Sequence, residues 1–222
     1  MKLAALFSGG KDSTYATYLA IKEGYEVSCL ITIFSENKES YMFHTPSISQ
    51  VKRQAESMNI PLIAVKTKGE KEKELTDLKR AIKLAIKNFN INGIITGAID
   101  SVYQSSRIQR ICNELNIECF NPLWQKNQFE LINELITNEF EVVITGVFAY
   151  PLTKDFIGRK IDYEFLDEIV VLNKKFNISL SGEGGEFESF VINCPLFKNK
   201  LEIKNIDVRG DKYSWIGEII LK

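Results

Sequence analysis

The chain has 222 residues, 45% hydrophobic and 26% charged, and its 28 basic and 29 acidic side chains leave a formal net charge of −1. That length and apolar content exclude a wholly disordered chain, and the charge balance provides no polybasic tract for nucleic acid. No apolar run approaches the roughly 18 residues of a membrane span, and the N-terminal apolar stretch is too short for a signal peptide, so a cytoplasmic protein with no membrane partner is expected.

In chain order, residues 2–7 read as a short buried strand that stops at Ser8-Gly9-Gly10. From Asp12, the spacing of Tyr15, Ala16, Leu19 and Ala20 predicts a helix closed by Gly24. Residues 26–34 read as a second strand, 35–49 as a polar loop, 50–58 as a helix and 61–65 as a third strand. Leu75, Leu78, Ile82, Ala85, Ile86 and Phe89 recur at helical spacing, which predicts an amphipathic helix over 70–88. A fourth strand is expected over 93–97, followed by a helix with Ile108, Ile111, Cys112 and Leu115 on one face. This alternation predicts parallel strands joined by right-handed crossovers.

After Trp124 the rhythm changes. Helices are expected over 129–137 and 161–176 and a strand over 140–147. The stretches 190–193, 202–208 and 213–221 read as antiparallel strands. The expectation is an α/β parallel-sheet domain over 1–125 and a smaller α+β domain over 126–222. Trp124 reads as a core or domain-seam aromatic.

Cysteine use narrows the chemistry. Cys29, Cys112, Cys119 and Cys194 contain no C-x-x-C pair, and His44 is the one histidine. That argues against a zinc site, an iron–sulfur cluster or a glutaminase-type Cys–His pair, and for buried thiols.

Two segments carry chemistry. The first is Ser8-Gly9-Gly10-Lys11-Asp12-Ser13, set between a strand and a helix. Its glycines let backbone N–H groups approach an anion, and the helix start favours phosphate. Lys11 can neutralise phosphoryl oxygens, Asp12 can hold Mg²⁺ directly or through water, and Ser8 and Ser13 can bond phosphate. The spacing is neither G-x-x-x-x-G-K-[ST] nor G-x-G-x-x-G. The second segment is Gly182-Glu183-Gly184-Gly185-Glu186-Phe187-Glu188-Ser189. It reads either as a solvated acidic loop or as a carboxylate cluster facing a cation.

The first segment resembles the pyrophosphate loop of the N-type ATP pyrophosphatases. The string G-E-G-G-E-F-E-S-F-V-I-N-C-P-L-F over 182–197 is similar to the signature of the diphthine–ammonia ligase family. Ser40-Tyr-Met-Phe-His44-Thr, Ser101-Val-Tyr103-Gln104-Ser-Ser-Arg107 and Pro122-Leu-Trp124 resemble further stretches of that family, with Val102 where acidic residues are frequent.

The resemblance implies a parallel-sheet, adenine nucleotide alpha hydrolase-like (Rossmann-like) domain followed by the smaller one. It implies an ATP-dependent carbon–nitrogen ligase with ATP and Mg²⁺ as cofactors. Diphthine on a translation elongation factor would attack the α-phosphate of ATP to form an acyl-adenylate. Ammonium-derived nitrogen would then give the amide diphthamide, AMP and pyrophosphate. Ser8, Gly9, Gly10, Lys11, Asp12, Ser13 and Gly97 are then the nucleotide contacts, with Asp12 on the metal. Lys11, Asp12, Glu183, Glu186 and Glu188 are the catalytic candidates, the glutamates facing ammonium or the diphthine cation. His44, Tyr103, Gln104, Arg107, Gly184 and Gly185 are the substrate-binding candidates, with a structural histidine as the alternative for His44. Arg159, after Gly158, is a further candidate for phosphate. The alternatives are a tRNA-modifying ATP pyrophosphatase and a non-catalytic ATP-binding sensor. Net charge disfavours nucleic acid as the partner, and a homo-oligomer stays open.

Overall fold

The computed structural model describes residues 1–35, 47–70 and 73–222. The first half forms one five-stranded sheet, entirely parallel: β1 (Lys2–Leu6), β2 (Glu26–Ser35), β3 (Leu62–Thr67), β4 (Gly93–Ile95) and β5 (Glu118–Phe120), in the spatial order β3-β2-β1-β4-β5. Four helices make the crossovers or follow them: α1 (Lys11–Lys22), α2 (Val51–Met58), α3 (Glu74–Phe89) and α4 (Val102–Leu115). This is the parallel Rossmann-like sheet expected from the alternation. The strand order reverses at β1, which has β2 on one side and β4 on the other. In open α/β sheets the crevice at such a reversal, beyond the carboxyl ends of the strands, is where ligands sit. The Ser8–Ser13 loop follows β1 directly and lies in that position.

The second half contains α5 (Gln128–Thr137), β6 (Glu141–Val147), α6 (Tyr163–Phe176), β7 (Phe187–Asn193), β8 (Ile203–Asp211) and β9 (Ser214–Leu221). Its four strands form an antiparallel sheet in the order β7-β6-β9-β8. The antiparallel reading of the last three strands holds, and β6 joins them as an inner strand.

Some boundaries differ from the sequence reading. β5 was not read as a strand: it is three residues long and sits between a helix end and the turn at Asn121. β7 begins three residues earlier than expected, at Phe187, because Phe187 and Ser189 are both buried ahead of the apolar run. α2, α3, α4 and α6 each end on an asparagine in the left-handed conformation, with φ between 53° and 57° at Asn59, Asn90, Asn116 and Asn177. Asparagine tolerates that conformation and replaces the glycine stop.

One apolar core runs through both halves. Tyr15, Ala16 and Ala20 of α1 pack with Leu131 and Leu135 of α5, Phe165 of α6 and Val191 of β7. Tyr15 stacks with Tyr18, both meet Phe140 edge-on, and the Tyr15 hydroxyl donates to Glu134 at 2.6 Å. Burial and the Glu134 carboxylate hold the Tyr15 hydroxyl well above its ordinary pKa. α1 is therefore an inner helix between the two sheets, consistent with small or aromatic residues on most of its faces. The opposite face of the parallel sheet is covered by α3 and α4 through Leu78, Ile82, Ile108 and Ile111. Trp124 departs from the core reading: it is 36% exposed. Among the described residues, no helix is long and apolar enough to cross a membrane.

Candidate active site

The turn after β1 is pre-folded by its own serines. The Ser8 amide donates to Ser13 Oγ at 3.2 Å, the two hydroxyls are 3.2 Å apart, and Ser13 Oγ reaches the Gly10 carbonyl at 3.2 Å. Gly9 holds φ +81°, and a side chain there would meet Gln54 Oε1 at 2.3 Å, so glycine is required by both conformation and space. α1 starts at Lys11 with no capping side chain of its own, which leaves its positive end for a ligand. Lys11 is 3% exposed, and its Nζ donates to Asp12 Oδ2 at 2.8 Å and lies 5.5 Å from the centre of the Phe187 ring. Asp12 Oδ1 is buried and has no hydrogen-bond partner among the described residues.

The distant acidic segment is brought to this loop by β7. The Lys11 amide donates to Ser189 Oγ at 3.2 Å, and the Val191 amide donates to the Gly9 carbonyl at 3.0 Å. Gln54 of α2, fully buried, donates from Nε2 to the Gly9 carbonyl at 2.9 Å and to the Val191 carbonyl at 2.8 Å. Three separate parts of the sequence thus meet at one backbone carbonyl.

Between them lies a cavity of about 420 Å³. Ser8, Gly10, Lys11, Asp12 and Ser13 line one side, and Gly182 to Gly185, Phe187, Glu188 and Ser189 line the other. Thr96, Gly97, Ser101 and Gln104 close a third side. Its size suits a nucleotide-sized ligand. Glu183 Oε2 accepts from the Asp100 amide at 3.2 Å, and burial, followed by the nearby Asp12 carboxylate, raises its pKa. Glu188 keeps a partly accessible surface because it faces the cavity, yet its carboxyl sits deep in the molecule. Burial first, then Asp12 and Glu183, push it up to about 7 against the pull of Lys11.

The cavity thus collects most of the residues singled out in the sequence, and leaves others elsewhere. Glu186 is absent from its lining. Its Oε1 accepts from the Ser179 amide at 3.0 Å and its carboxylate lies under Gly184, so it staples the glycine-rich loop. Gln104 lines the cavity, but Tyr103 and Arg107 do not; the Arg107 guanidinium lies 3.4 Å from the Tyr103 ring centre and donates to the Tyr103 carbonyl at 3.3 Å. Arg159 is engaged by Glu168 and lies over Phe156 and Phe165, away from the cavity. Gly97 lines the cavity, but its need for glycine comes from α1: a side chain would meet the Ser13 amide nitrogen at 2.7 Å and the Asp12 carbonyl carbon at 2.8 Å. His44 lies outside the described residues. Gln54 and Ser189 were not recognised from sequence; Ser189 was inside the quoted motif, whereas nothing in the polar pattern of α2 marks Gln54.

The donor set fits the groups the resemblance implies. Two glycines, a lysine and an uncapped helix start suit phosphate. The unpartnered Asp12 Oδ1 suits a hard cation that takes its remaining ligands from phosphate and water. Among the described residues there is no cluster of three or more metal-ligating side chains, so a metal here would lean on the nucleotide. Cys29, Cys112 and Cys194 are buried, Cys119 is half-buried, and all four are free thiols. None lines the cavity.

Comparison with known proteins gives the family. The profile of the diphthamide synthase N-terminal domain matches residues 1–119, and that of the diphthamide synthase C-terminal domain matches 127–219. The chain belongs to the diphthamide synthase family. The diphthine–ammonia ligase of Homo sapiens is 34% identical over 94% of this chain and 85% of its own length, and that of Rattus norvegicus is 34% identical over 91% and 83%. The diphthine–ammonia ligase of Schizosaccharomyces pombe is 32% identical over 94% of this chain, which spans 37% of that longer protein. A solved structure described as a predicted subunit of tRNA methyltransferase from Methanocaldococcus jannaschii aligns with a TM-score of 0.45 at 20% identity, over 88% of this chain and 98% of that one. The diphthamide synthase relatives are carbon–nitrogen ligases by name, and the chain is an enzyme of that type.

Proposed function

We propose that this family member amidates diphthine on a translation elongation factor to diphthamide, using ATP and ammonium and releasing AMP and pyrophosphate through an acyl-adenylate. The observation that carries the reading is the meeting of a phosphate-type loop and two raised-pKa carboxylates across one cavity. Gly9, Gly10, Lys11, Ser8, Ser13 and the start of α1 would cradle the phosphates that leave as pyrophosphate. Asp12, through its unpartnered oxygen, would hold Mg²⁺, which supplies charge neutralisation when bound. Gly97 and Gln104 would border the nucleotide.

Glu188 and Glu183 would serve the second half-reaction. A carboxyl with a pKa of about 7 can take a proton from ammonium as nitrogen attacks, and a carboxylate at its ordinary value is a weaker base for that step. Amidation needs this because ammonium itself has no lone pair. Glu186, Gly184 and Gly185 would act by shaping the loop. The protein acceptor would enter from the side of the smaller second half, and a domain division near residue 125 would put nucleotide and acceptor functions on either side of the cavity.

The deciding experiment incubates the purified chain with diphthine-bearing elongation factor, ATP and an ammonium salt. The expected result is one AMP per acceptor and an acid-to-amide mass change on the factor, both lost in Lys11→Ala. AMP formation with tRNA and none with the factor would overturn the reading. So would ATP binding with no pyrophosphate from any acceptor.

A further inference from the structure

Two thiols of the first half face each other. Cys112 lies in the last turns of α4 and is fully buried. Cys119 is the middle residue of β5 and is half-buried. The chain reverses between them at Asn116, and the Ile117 amide donates to the Cys112 carbonyl at 3.1 Å. β5 therefore returns beneath the end of α4, and both side chains join the core on the α3–α4 face of the parallel sheet. There the Cys112 thiol donates a hydrogen bond to the Cys119 sulfur. Asn121 Nδ2 donates to the same sulfur at 3.8 Å.

These contacts make the two sulfurs unequal. The Cys112 hydrogen bond, then that of Asn121, hold the Cys119 thiol below its ordinary pKa against the opposing effect of burial. The same shared bond, then burial, drives Cys112 up. Cys119 is the sulfur that ionises first and the one that solvent reaches. Thiolate character and access decide which cysteine is oxidised, and Cys112 is the neighbour placed to resolve it. Cys29 and Cys194 have neither property, being buried and pushed up to about 12.

Asn121 carries the state of this pair to the cavity. Its Oδ1 accepts from the Thr96 hydroxyl, and that hydroxyl accepts from the Ala98 amide at 3.2 Å. The Thr96 amide donates to the Phe120 carbonyl at 2.9 Å. Thr96, Gly97 and Ala98 line the cavity, and Gly97 lies against the Asp12–Ser13 backbone. One side chain thus links the Cys119 sulfur to the wall behind the phosphate loop.

We propose that Cys119 and Cys112 form a site of reversible oxidation by hydroperoxides, and that the disulfide between them weakens nucleotide binding through Asn121 and Thr96. The Cys119 thiolate attacks a peroxide oxygen. The S–O bond forms, the O–O bond breaks, and the departing oxygen takes up a proton to leave as water or an alcohol. Cys119 is then a sulfenic acid. The Cys112 sulfur attacks it, the S–S bond forms, the S–O bond breaks, and hydroxide leaves with the Cys112 proton as water. Two electrons pass from the thiols to the peroxide, and a dithiol reductant returns them. The loop closed is short, so the disulfide constrains the unfolded chain little and stays reducible. Drawn into the disulfide, the Cys119 sulfur no longer accepts from Asn121, and the anchor of Thr96 loosens. The inference goes beyond the ligase reading and needs only that ATP binds in the cavity.

The test uses the full chain and two readouts. Wild type and Cys112→Ser are treated with hydrogen peroxide, alkylated and mapped by peptide mass. Wild type should show the Cys112 and Cys119 peptides joined and about 2 Da lighter than their sum, with Cys29 and Cys194 still thiols and the link undone by dithiothreitol. Cys112→Ser should form no link and should carry dimedone on Cys119 when that trap is present. In nucleotide titrations, oxidised wild type should bind ATP about fivefold more weakly than reduced wild type, with full recovery on reduction. That recovery shows that the oxidised chain is folded. Cys112 and Cys119 both left free by peroxide, or a link to Cys29 or Cys194 instead, overturns the site. A complete Cys112–Cys119 disulfide with unchanged ATP affinity overturns its coupling to the cavity. Reduced wild type that binds ATP but forms no AMP with the diphthine-bearing factor overturns the ligase reading alone, because both readouts here need only ATP.

Discussion

Gln54→Glu isolates the contact that joins the two halves at the phosphate loop. The Gln54 amide nitrogen serves two backbone carbonyls, Gly9 at 2.9 Å and Val191 at 2.8 Å, from a fully buried position. Two facing acceptors also settle which end of the amide is nitrogen. A carboxylate there has no proton to give, and a protonated carboxyl can serve only one of the two carbonyls. At low pH the loss is therefore one hydrogen bond, about 1 kcal/mol. As pH rises, the variant carboxyl must either ionise against two carbonyls or stay protonated with a raised pKa. Its pKa in the folded state then exceeds its unfolded value of about 4.3, so the variant loses a further ~1.4 kcal/mol for each pH unit above that value until the folded group ionises. With the folded carboxyl still protonated at pH 7, the total deficit there is roughly 5 kcal/mol. Urea unfolding of wild type and Gln54→Glu from pH 4.5 to 8 reads this directly. A deficit that is flat across that range would refute the reasoning, and so would Gln54→Leu proving more destabilised at pH 7 than Gln54→Glu.

Three other outcomes are expected. Glu188→Gln removes a carboxyl whose pKa rises from 4.5 to about 7 on folding. That raised value means the wild type loses stability as pH climbs from 4.5 through 7, so Glu188→Gln should gain about 3 kcal/mol over wild type by pH 8 and show no advantage at pH 4, while losing amidation; denaturant titrations at the two pH values check it. Gly97→Ala drives a methyl into the Asp12–Ser13 backbone and should cost roughly 1–3 kcal/mol together with a clear loss of ATP affinity, measured by thermal unfolding and nucleotide titration. Burial holds the Cys29 and Cys194 thiols at about 12, so iodoacetamide at pH 7.5 should leave both unmodified in the folded protein and label both in urea, as peptide mass mapping would record.

Much of this architecture was visible in the sequence because its signals are local. Apolar spacing at 3.6 residues marks α3, and a Gly-Gly-Lys between a buried strand and a helix marks the loop after β1. What escaped depends on contacts between distant segments. β5 is three residues of mixed character and is a strand only because β4 lies beside it. Gln54 sits in a helix of largely charged and polar residues and becomes buried only when β7 docks on α2. The three glutamates of 183–188 look equivalent in a row. The turn at Gly182–Gly185 and the register of β7 with β6 then send Glu183 and Glu188 to the cavity and Glu186 into the loop. Arg107 and Arg159 were natural phosphate candidates by charge, yet each lies against an aromatic ring outside the cavity lining.

The contact between the Lys11 amide and Ser189 joins positions 178 residues apart. On a ribosome, the loop after β1 emerges well before the strand that steadies it. At about 5–20 residues per second, the loop waits some 10–35 s for its clamp. During that interval the parallel sheet can assemble, yet the Gly9 carbonyl lacks the Val191 amide and the acidic wall of the cavity does not exist. A nascent chain stalled before residue 182 should therefore acquire secondary structure without nucleotide retention. Nucleotide capture would then wait for β7, so that a chain lacking that strand could not hold nucleotide.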